Sequence, residues 1–359
     1  MKALRISLLV LLGAGIVAGL AFLALKAVPT RHRSADESGS SSNSAPINNP
    51  EAASGKQTFH LQEDGVNREF IVYRPGNLDT NDEVPVVFMF HGSGQNGEMF
   101  YENSGWKEKA DAEGFMVVFP TGLKYHVFSE EKVIHGSVEQ DVARYQTKWN
   151  TLDLGKQLDP AYPDQELADD VQFTRDMLAF VEENYAVDSS RVYASGFSNG
   201  SGFVNRLVLE ASDIFAAFGS GSSGTVTVEA LEQSGFTPGP NFTPRPLMRM
   251  IGSDDPKITF AAGVNAFPTD ESAMDDGSIV RTILVDGALQ LLGLSDTYTF
   301  EQQGKVSSYD FSQPAVGSDS EAEYDLLIVD GMKHVYPNGD NFPVVAVDIY
   351  WSFFEQYSL

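Results

Sequence analysis

The feature that most constrains this chain is Gly196-Phe197-Ser198-Asn199-Gly200, placed directly after the apolar run Arg191-Val192-Tyr193-Ala194-Ser195. A strand that delivers a serine into a turn flanked by glycines two positions either side, with a helix following, has few ways to fold. The turn must be tight, the serine Oγ must stand clear of the backbone, and main-chain N–H groups must gather beside it. Phe203-Val204-Asn205-Arg206-Leu207-Val208-Leu209 supplies the helical character downstream. The pentapeptide alone is a weak signal in a chain with 32 glycines, and the strand before it and helix after it are what give it weight.

A serine in such a turn needs a base. In strand–elbow–helix architectures the acid and then the histidine follow the serine along the chain. Of six histidines only His334 lies after Ser198, in the polar turn Gly331-Met332-Lys333-His334 behind the apolar run 325–330. A loop histidine at a strand's end can swing over the elbow and take the Ser198 proton. The acid should close another strand between the two. Residues 246–251 read as that strand and end in Gly252-Ser253-Asp254-Asp255-Pro256. Spacing does not separate Asp254 from Asp255, and Asp270, Asp275, Asp276, Asp325 and Asp330 are weaker rivals.

An apolar run over 84–90 leads into His91-Gly92-Ser93-Gly94-Gln95-Asn96, about 105 residues before the elbow. The loop after this strand and the residue after the nucleophile are where oxyanion donors stand. The backbone N–H groups of Ser93 and Asn199 are therefore expected to face the developing negative oxygen. Gly92 and Gly94 would let the main chain approach a substrate without a Cβ in the way.

Three segments together resemble the α/β-hydrolase family that contains polyhydroxybutyrate depolymerases and secreted feruloyl and acetylxylan esterases. They are His91-Gly92-Ser93-Gly94-Gln95, the stretch from Asp169-Asp170-Val171-Gln172-Phe173 through the elbow, and Gly252-Ser253-Asp254-Asp255-Pro256. The resemblance spans roughly residues 57–357, and its middle segment is the most specific. It implies an α/β-hydrolase fold, with Ser198 as nucleophile, His334 as base and Asp255, before the proline, as the acid. It also sets Trp149-Asn150 on a family tryptophan position near the substrate. The chain departs from the family in having no cysteine, with Ser93 where an oxyanion-loop cysteine is common, and in having Ser201 after the elbow's last glycine.

Strand-like runs at 70–73, 86–90, 115–119, 192–195, 216–219, 247–251 and 326–329 alternate with helical stretches. That pattern predicts an α/β domain with a mostly parallel central sheet and helices on both faces. Val171, Leu178, Val181 and Tyr185 mark one helix face, and an aromatic-rich closing helix is expected over 344–356. Residues 121–165 and 257–297 read as long irregular insertions at strand ends, the natural lid and specificity elements. In the first, Trp149 either stacks on a substrate or anchors the loop from within. The first also holds Tyr125, His126, His135 and Tyr145, and the second holds Asp270, Glu271, Asp275 and Asp276.

The N-terminus reads as a separate object. Residues 6–25 are an uncharged run behind Lys2 and Arg5, long enough at about 1.5 Å per residue to span the roughly 30 Å of a bilayer core. Residues 1–28 are expected to act as a signal peptide or membrane anchor, 29–56 as a flexible polar linker, and 57–359 as the catalytic domain. An extracytoplasmic location follows from that expectation. Five of the 24 basic and three of the 50 acidic residues precede residue 55, which leaves 19 against 47 in the remainder. Such a balance argues against nucleic acid, anionic lipid or a polyanionic substrate, and favours a neutral ester, small or polymeric. Membrane contact is expected only through the N-terminal segment, and oligomeric state is left open. No metal-ligand spacing or phosphate-binding glycine loop is present, so no metal or cofactor is expected. The function expected is a serine carboxylic ester hydrolase acting through an acyl-enzyme. A peptidase or lipase on the same fold, and an inactive membrane-tethered binding protein, are the alternatives.

Overall fold

The computed structural model describes residues 54–129, 142–224 and 242–359. Residues 1–53, with the apolar N-terminal run, lie outside them, as does His135. Among the described residues no helix is long and apolar enough to cross a membrane.

In chain order the strands are β1 (Gly55–Glu63), β2 (Val66–Arg74), β3 (Val84–Phe90), β4 (Met116–Pro120), β5 (Leu123–Ser129) and β6 (Val142–Lys148). They continue as β7 (Val187–Phe197), β8 (Ala217–Gly221), β9 (Leu247–Gly252), β10 (Thr299–Gln303), β11 (Val306–Phe311) and β12 (Tyr324–Val329). Ten of them form one sheet in the order β1-β2-β4-β3-β7-β8-β9-β12-β11-β10. Its middle, β4 through β12, is parallel. These are the continuous apolar runs of the sequence, buried on both faces as parallel strands require. The helices over them are α1 (Gly97–Asn103), α2 (Trp106–Glu113), α3 (Leu154–Gln157), α4 (Asp170–Asn184), α5 (Asn199–Glu210) and the closing α6 (Ala346–Phe354).

The two faces alternate along each strand. Val86, Phe88 and Phe90 join the core beneath α4 and α5, whereas Val87 and Met89 join the one beneath α1, α2 and α6. On the second face a Cβ at Gly219 would meet the ring of Tyr350 at 2.8 Å, so that glycine is what lets α6 lie against the sheet.

Two departures from the sequence expectation bear on function. Both edges of the sheet are antiparallel hairpins, β1–β2 and β10–β11, and β1 begins at Gly55, inside the stretch read as linker. The outermost strand β1 alternates between half-buried and exposed positions and carries no continuous apolar run. The insertions are not irregular either. The first holds the antiparallel β5–β6 ribbon and α3. The second holds the short helix Pro256–Thr259, a 3₁₀ turn at Glu271–Met274, a π turn at Arg281–Val285 and the helix Asp286–Leu292.

Candidate active site

Ser198 stands between β7 and α5 at φ 53° and ψ −117°, a conformation that costs a non-glycine residue on the order of 1–3 kcal/mol. The surroundings hold it there. A Cβ on Gly196 would meet the Gly200 carbonyl oxygen at 2.5 Å, and one on Gly200 would meet the Phe90 carbonyl oxygen at 2.1 Å. Both glycines are demanded by backbone packed against backbone. The Ser198 N–H donates to the Gly221 carbonyl at 2.8 Å, which ties the turn to the end of β8.

His334 reaches this serine from the loop after β12, with Nε2 2.9 Å from Ser198 Oγ. Its Nδ1 lies 2.9 Å and 3.1 Å from the two carboxylate oxygens of Asp255. Asp255 is fully buried and also accepts the Lys257 N–H, capping the helix Pro256–Thr259. Asp254, one residue earlier, is exposed, and its carboxylate accepts from Ser253 Oγ instead. Two adjacent aspartates that spacing could not rank are thus separated by the turn between them. The acid-bearing and histidine-bearing loops are stitched together. Gly331 N–H donates to Ser253 Oγ, Asp254 N–H donates to the Met332 carbonyl, and a Cβ on Gly252 would lie 2.0 Å from that same carbonyl oxygen. An ionised carboxylate only accepts, so Nδ1 carries the proton and Nε2 is left to accept from the serine.

No protein-family model matches the chain. It is 25% identical over 201 residues to a bifunctional acetylxylan esterase/xylanase of Neocallimastix patriciarum, covering 56% of this chain and 23% of that protein. To a feruloyl esterase B of Thermothelomyces thermophilus it is 27% identical over 166 residues, 46% of this chain and 47% of the relative. The chain thus spans less than half the length of the curated relatives it matches. Its fold superposes on an acetyl xylan esterase from Aspergillus awamori with a TM-score of 0.51 and 14% identity, over 83% of this chain and 99% of the other. The chain has the α/β-hydrolase fold.

The loop after β3 is held by His91, whose ring is buried. Its Nε2 accepts the Gly122 N–H at 3.0 Å, and its Nδ1 lies 2.8 Å from the Gly92 carbonyl. A backbone N–H can only donate, so the proton sits on Nδ1 and the ring is neutral. Burial pushes the His91 pKa down to about 4, which keeps it neutral. Ser93 and Asn199 both border the cleft at Ser198. The side chain of Asn199 is tied to the Trp149 backbone, its Oδ1 accepting the Trp149 N–H at 2.7 Å. No residue pattern signals this tether in advance.

Two of the residues expected near the substrate, Trp149 and Gly94, do not line the cleft. Trp149 is fully buried, packed between the rings of Phe90 and Phe203, and its Nε1 donates to the His91 carbonyl at 3.0 Å. It anchors the loop from within and offers no face for stacking. Gly94 is absent from the cleft wall; it turns the chain at φ 73° and its N–H donates to the Thr147 carbonyl. Gly92 does border the cleft, and a Cβ there would lie 2.7 Å from Gln95 Oε1 of its own loop and 3.3 Å from both Phe197 Cδ1 and Ser198 Cβ of the elbow.

Asn150, next to Trp149, is locked into a buried charge network. Its N–H donates to Asp170, which pairs with Arg68 at 2.6 Å, and its carbonyl accepts from Arg206. Burial raises the Asp170 pKa while Arg68 works against it. Asp170 belongs to the segment that carried the family resemblance, and its place here is to hold the Trp149-Asn150 corner beside the elbow.

The cleft itself, about 820 Å³, has Ser198 and His334 on its wall together with residues of β6 and α3. Whole-chain charge favoured a neutral ester, and the described residues lining the cleft include four cations. Net charge is a property of the whole surface and does not set the charge of one concavity.

Proposed function

We propose that this α/β-hydrolase is a serine carboxylic ester hydrolase of the feruloyl, acetylxylan or polyhydroxybutyrate esterase type. The observation that carries the reading is His334 Nε2 at 2.9 Å from Ser198 Oγ, with buried Asp255 behind Nδ1. The named relatives, acetylxylan and feruloyl esterases, support the ester class. In this reading His334 removes the Ser198 proton as Oγ bonds to the ester carbonyl carbon. The N–H groups of Ser93 and Asn199 take up the negative charge on the carbonyl oxygen. His334 then protonates the departing alkoxide, which leaves as alcohol, and water repeats the cycle to release the acid. Asp255 fixes the imidazole tautomer and stabilises its charged form. We further assign residues 1–28 to export or anchoring and 29–54 to a tether, with the catalytic unit outside the cytoplasm.

The test is turnover of p-nitrophenyl acetate and labelling by a fluorophosphonate. Ser198→Ala abolishes labelling, and Ser198→Ala and His334→Ala each lower kcat by about 10³-fold or more with the fold intact. Asp255→Asn costs more than Asp254→Asn. A wild-type chain that neither turns over esters nor reacts with the probe would leave the inactive binding protein as the better description.

A further inference from the structure

The cleft inverts the charge of the chain that builds it. The sequence carries 50 acidic against 24 basic residues, yet the described residues lining the cleft include Arg144, Lys148, Lys156 and Lys257 with one carboxylate, Asp153. Arg144, Gln146 and Lys148 are spaced by two along β6, so the pleat turns all three to one face, and that face is the cleft wall. The Lys148 ammonium donates to a neutral amide, Gln157 Oε1, at 2.6 Å. Asp153 is engaged by Thr151 and Gln157. Among the described residues none of Lys148, Lys156 and Lys257 forms an ion pair.

A second layer strengthens the first. Arg249 of β9 is fully buried and also without an ion pair among the described residues. Its guanidinium donates to Asn205 Oδ1 at 2.9 Å and to the carbonyls of Ser223 and Gly224 at 2.9 Å and 3.1 Å. All three acceptors border the cleft, and Arg249 Nε has no partner. An uncompensated buried cation is costly, as are ammonium groups gathered in a concavity. Burial pushes the Lys148 pKa down, with Asp153 opposing and Lys257 adding to the effect. A bound anion would offset all of these costs at once.

We propose that the cleft takes an ester that bears a free carboxylate, held by Lys148 and Lys257 while the scissile carbonyl lies at Ser198. The inference rests on the esterase reading and adds the charge of the substrate. The carboxylate belongs to the acyl part, as in a half-ester of a dicarboxylic acid, or to the alcohol part, and matched pairs distinguish the two.

The experiment measures kcat/KM of the full chain on ethyl hydrogen adipate against ethyl hexanoate, and on 4-acetoxybenzoate against phenyl acetate. In at least one pair the carboxylate ester is preferred by about tenfold or more at low salt, and 0.5 M sodium chloride cuts that preference at least threefold, since screening weakens it. Lys148→Gln and Lys257→Gln each lower the same preference by about tenfold, the loss expected for one charge-assisted contact of about 1.4 kcal/mol. A preference at or below one in both pairs, or one unmoved in both variants, overturns the proposal. Turnover of the neutral members alone overturns only this inference. Hydrolysis of none of the four esters overturns the esterase reading with it.

Discussion

Residues 121–165 and residues 257–297 both follow parallel strands at the end of the sheet where Ser198 sits, and the two stretches have opposite fates. The first sends the β5–β6 ribbon and α3 to the cleft, where Arg144, Gln146, Lys148 and Gln157 form wall. The second gives the cleft only Lys257 and Ile258 at its start. Its remainder turns under the sheet, where Ala273, Met274, Val280, Leu284, Ala288 and Leu292 are buried in the same core as α4 and α5. Position at a strand end is therefore a weak guide to function by itself. Packing decides it: Arg144, Gln146 and Lys148 on one face of β6 meet the cleft, whereas Val280, Leu284, Ala288 and Leu292 are buried in the core.

The comparison is most exposed at Trp149. Trp149→Ala empties a site between Phe90 and Phe203 and removes the bond to the His91 carbonyl. Chemical denaturation should show a loss of about 3–5 kcal/mol. At a temperature where the variant stays folded, kcat/KM on a short ester should fall about 10²-fold, because the backbone N–H that holds Asn199 is retained but the indole that anchors it is gone. Activity within threefold of wild type would show that the first region does not position the site.

Leu292→Ala is the counterpart in the second region. A fully buried leucine on its last helix should cost about 2–5 kcal/mol of stability and leave kcat/KM within about twofold. A large activity loss without unfolding would erase the distinction between the regions.

Acid sharpens it further. His91 holds both ends of the β5–β6 ribbon, its ring accepting the Gly122 N–H and its backbone carbonyl the Trp149 indole N–H, and its pKa in the folded state is lowered to about 4. The unfolded chain binds that proton nearer 6.5, so the stability His91 contributes is complete above that pH and drains away as pH falls toward 4. Hydrogen exchange at pH 7 and pH 4.5, corrected for intrinsic rates, should show protection falling earlier in 142–165 than in 257–297. His91→Gln should remove most of the difference.

The smallest effect expected is that of Asp275→Asn with Asp276→Asn. Both are exposed and neither borders the cleft, so kcat/KM should stay within about 1.5-fold. A greater change would restore the second region as a lid.

How much of this was legible beforehand differs from residue to residue. The elbow was, because Gly196 and Gly200 each answer a clash with a backbone oxygen that only glycine avoids. His334 was, because chain order left one histidine. The core helix at 286–292 was legible in principle, since Val280, Leu284, Ala288 and Leu292 keep helical spacing; it was masked by the acidic turn before it. Trp149 was not, because a tryptophan beside an active site reads alike whether its ring faces substrate or core.

The sequence by itself determined which residues could do chemistry and in what order they must come, since local backbone geometry and residue type set both. Only the tertiary structure decided which of two neighbouring aspartates faces the imidazole, which insertion becomes wall, and what charge the cleft carries. Those depend on where side chains distant in the chain point once strands from both halves of the sheet lie side by side, and no local pattern encodes that direction.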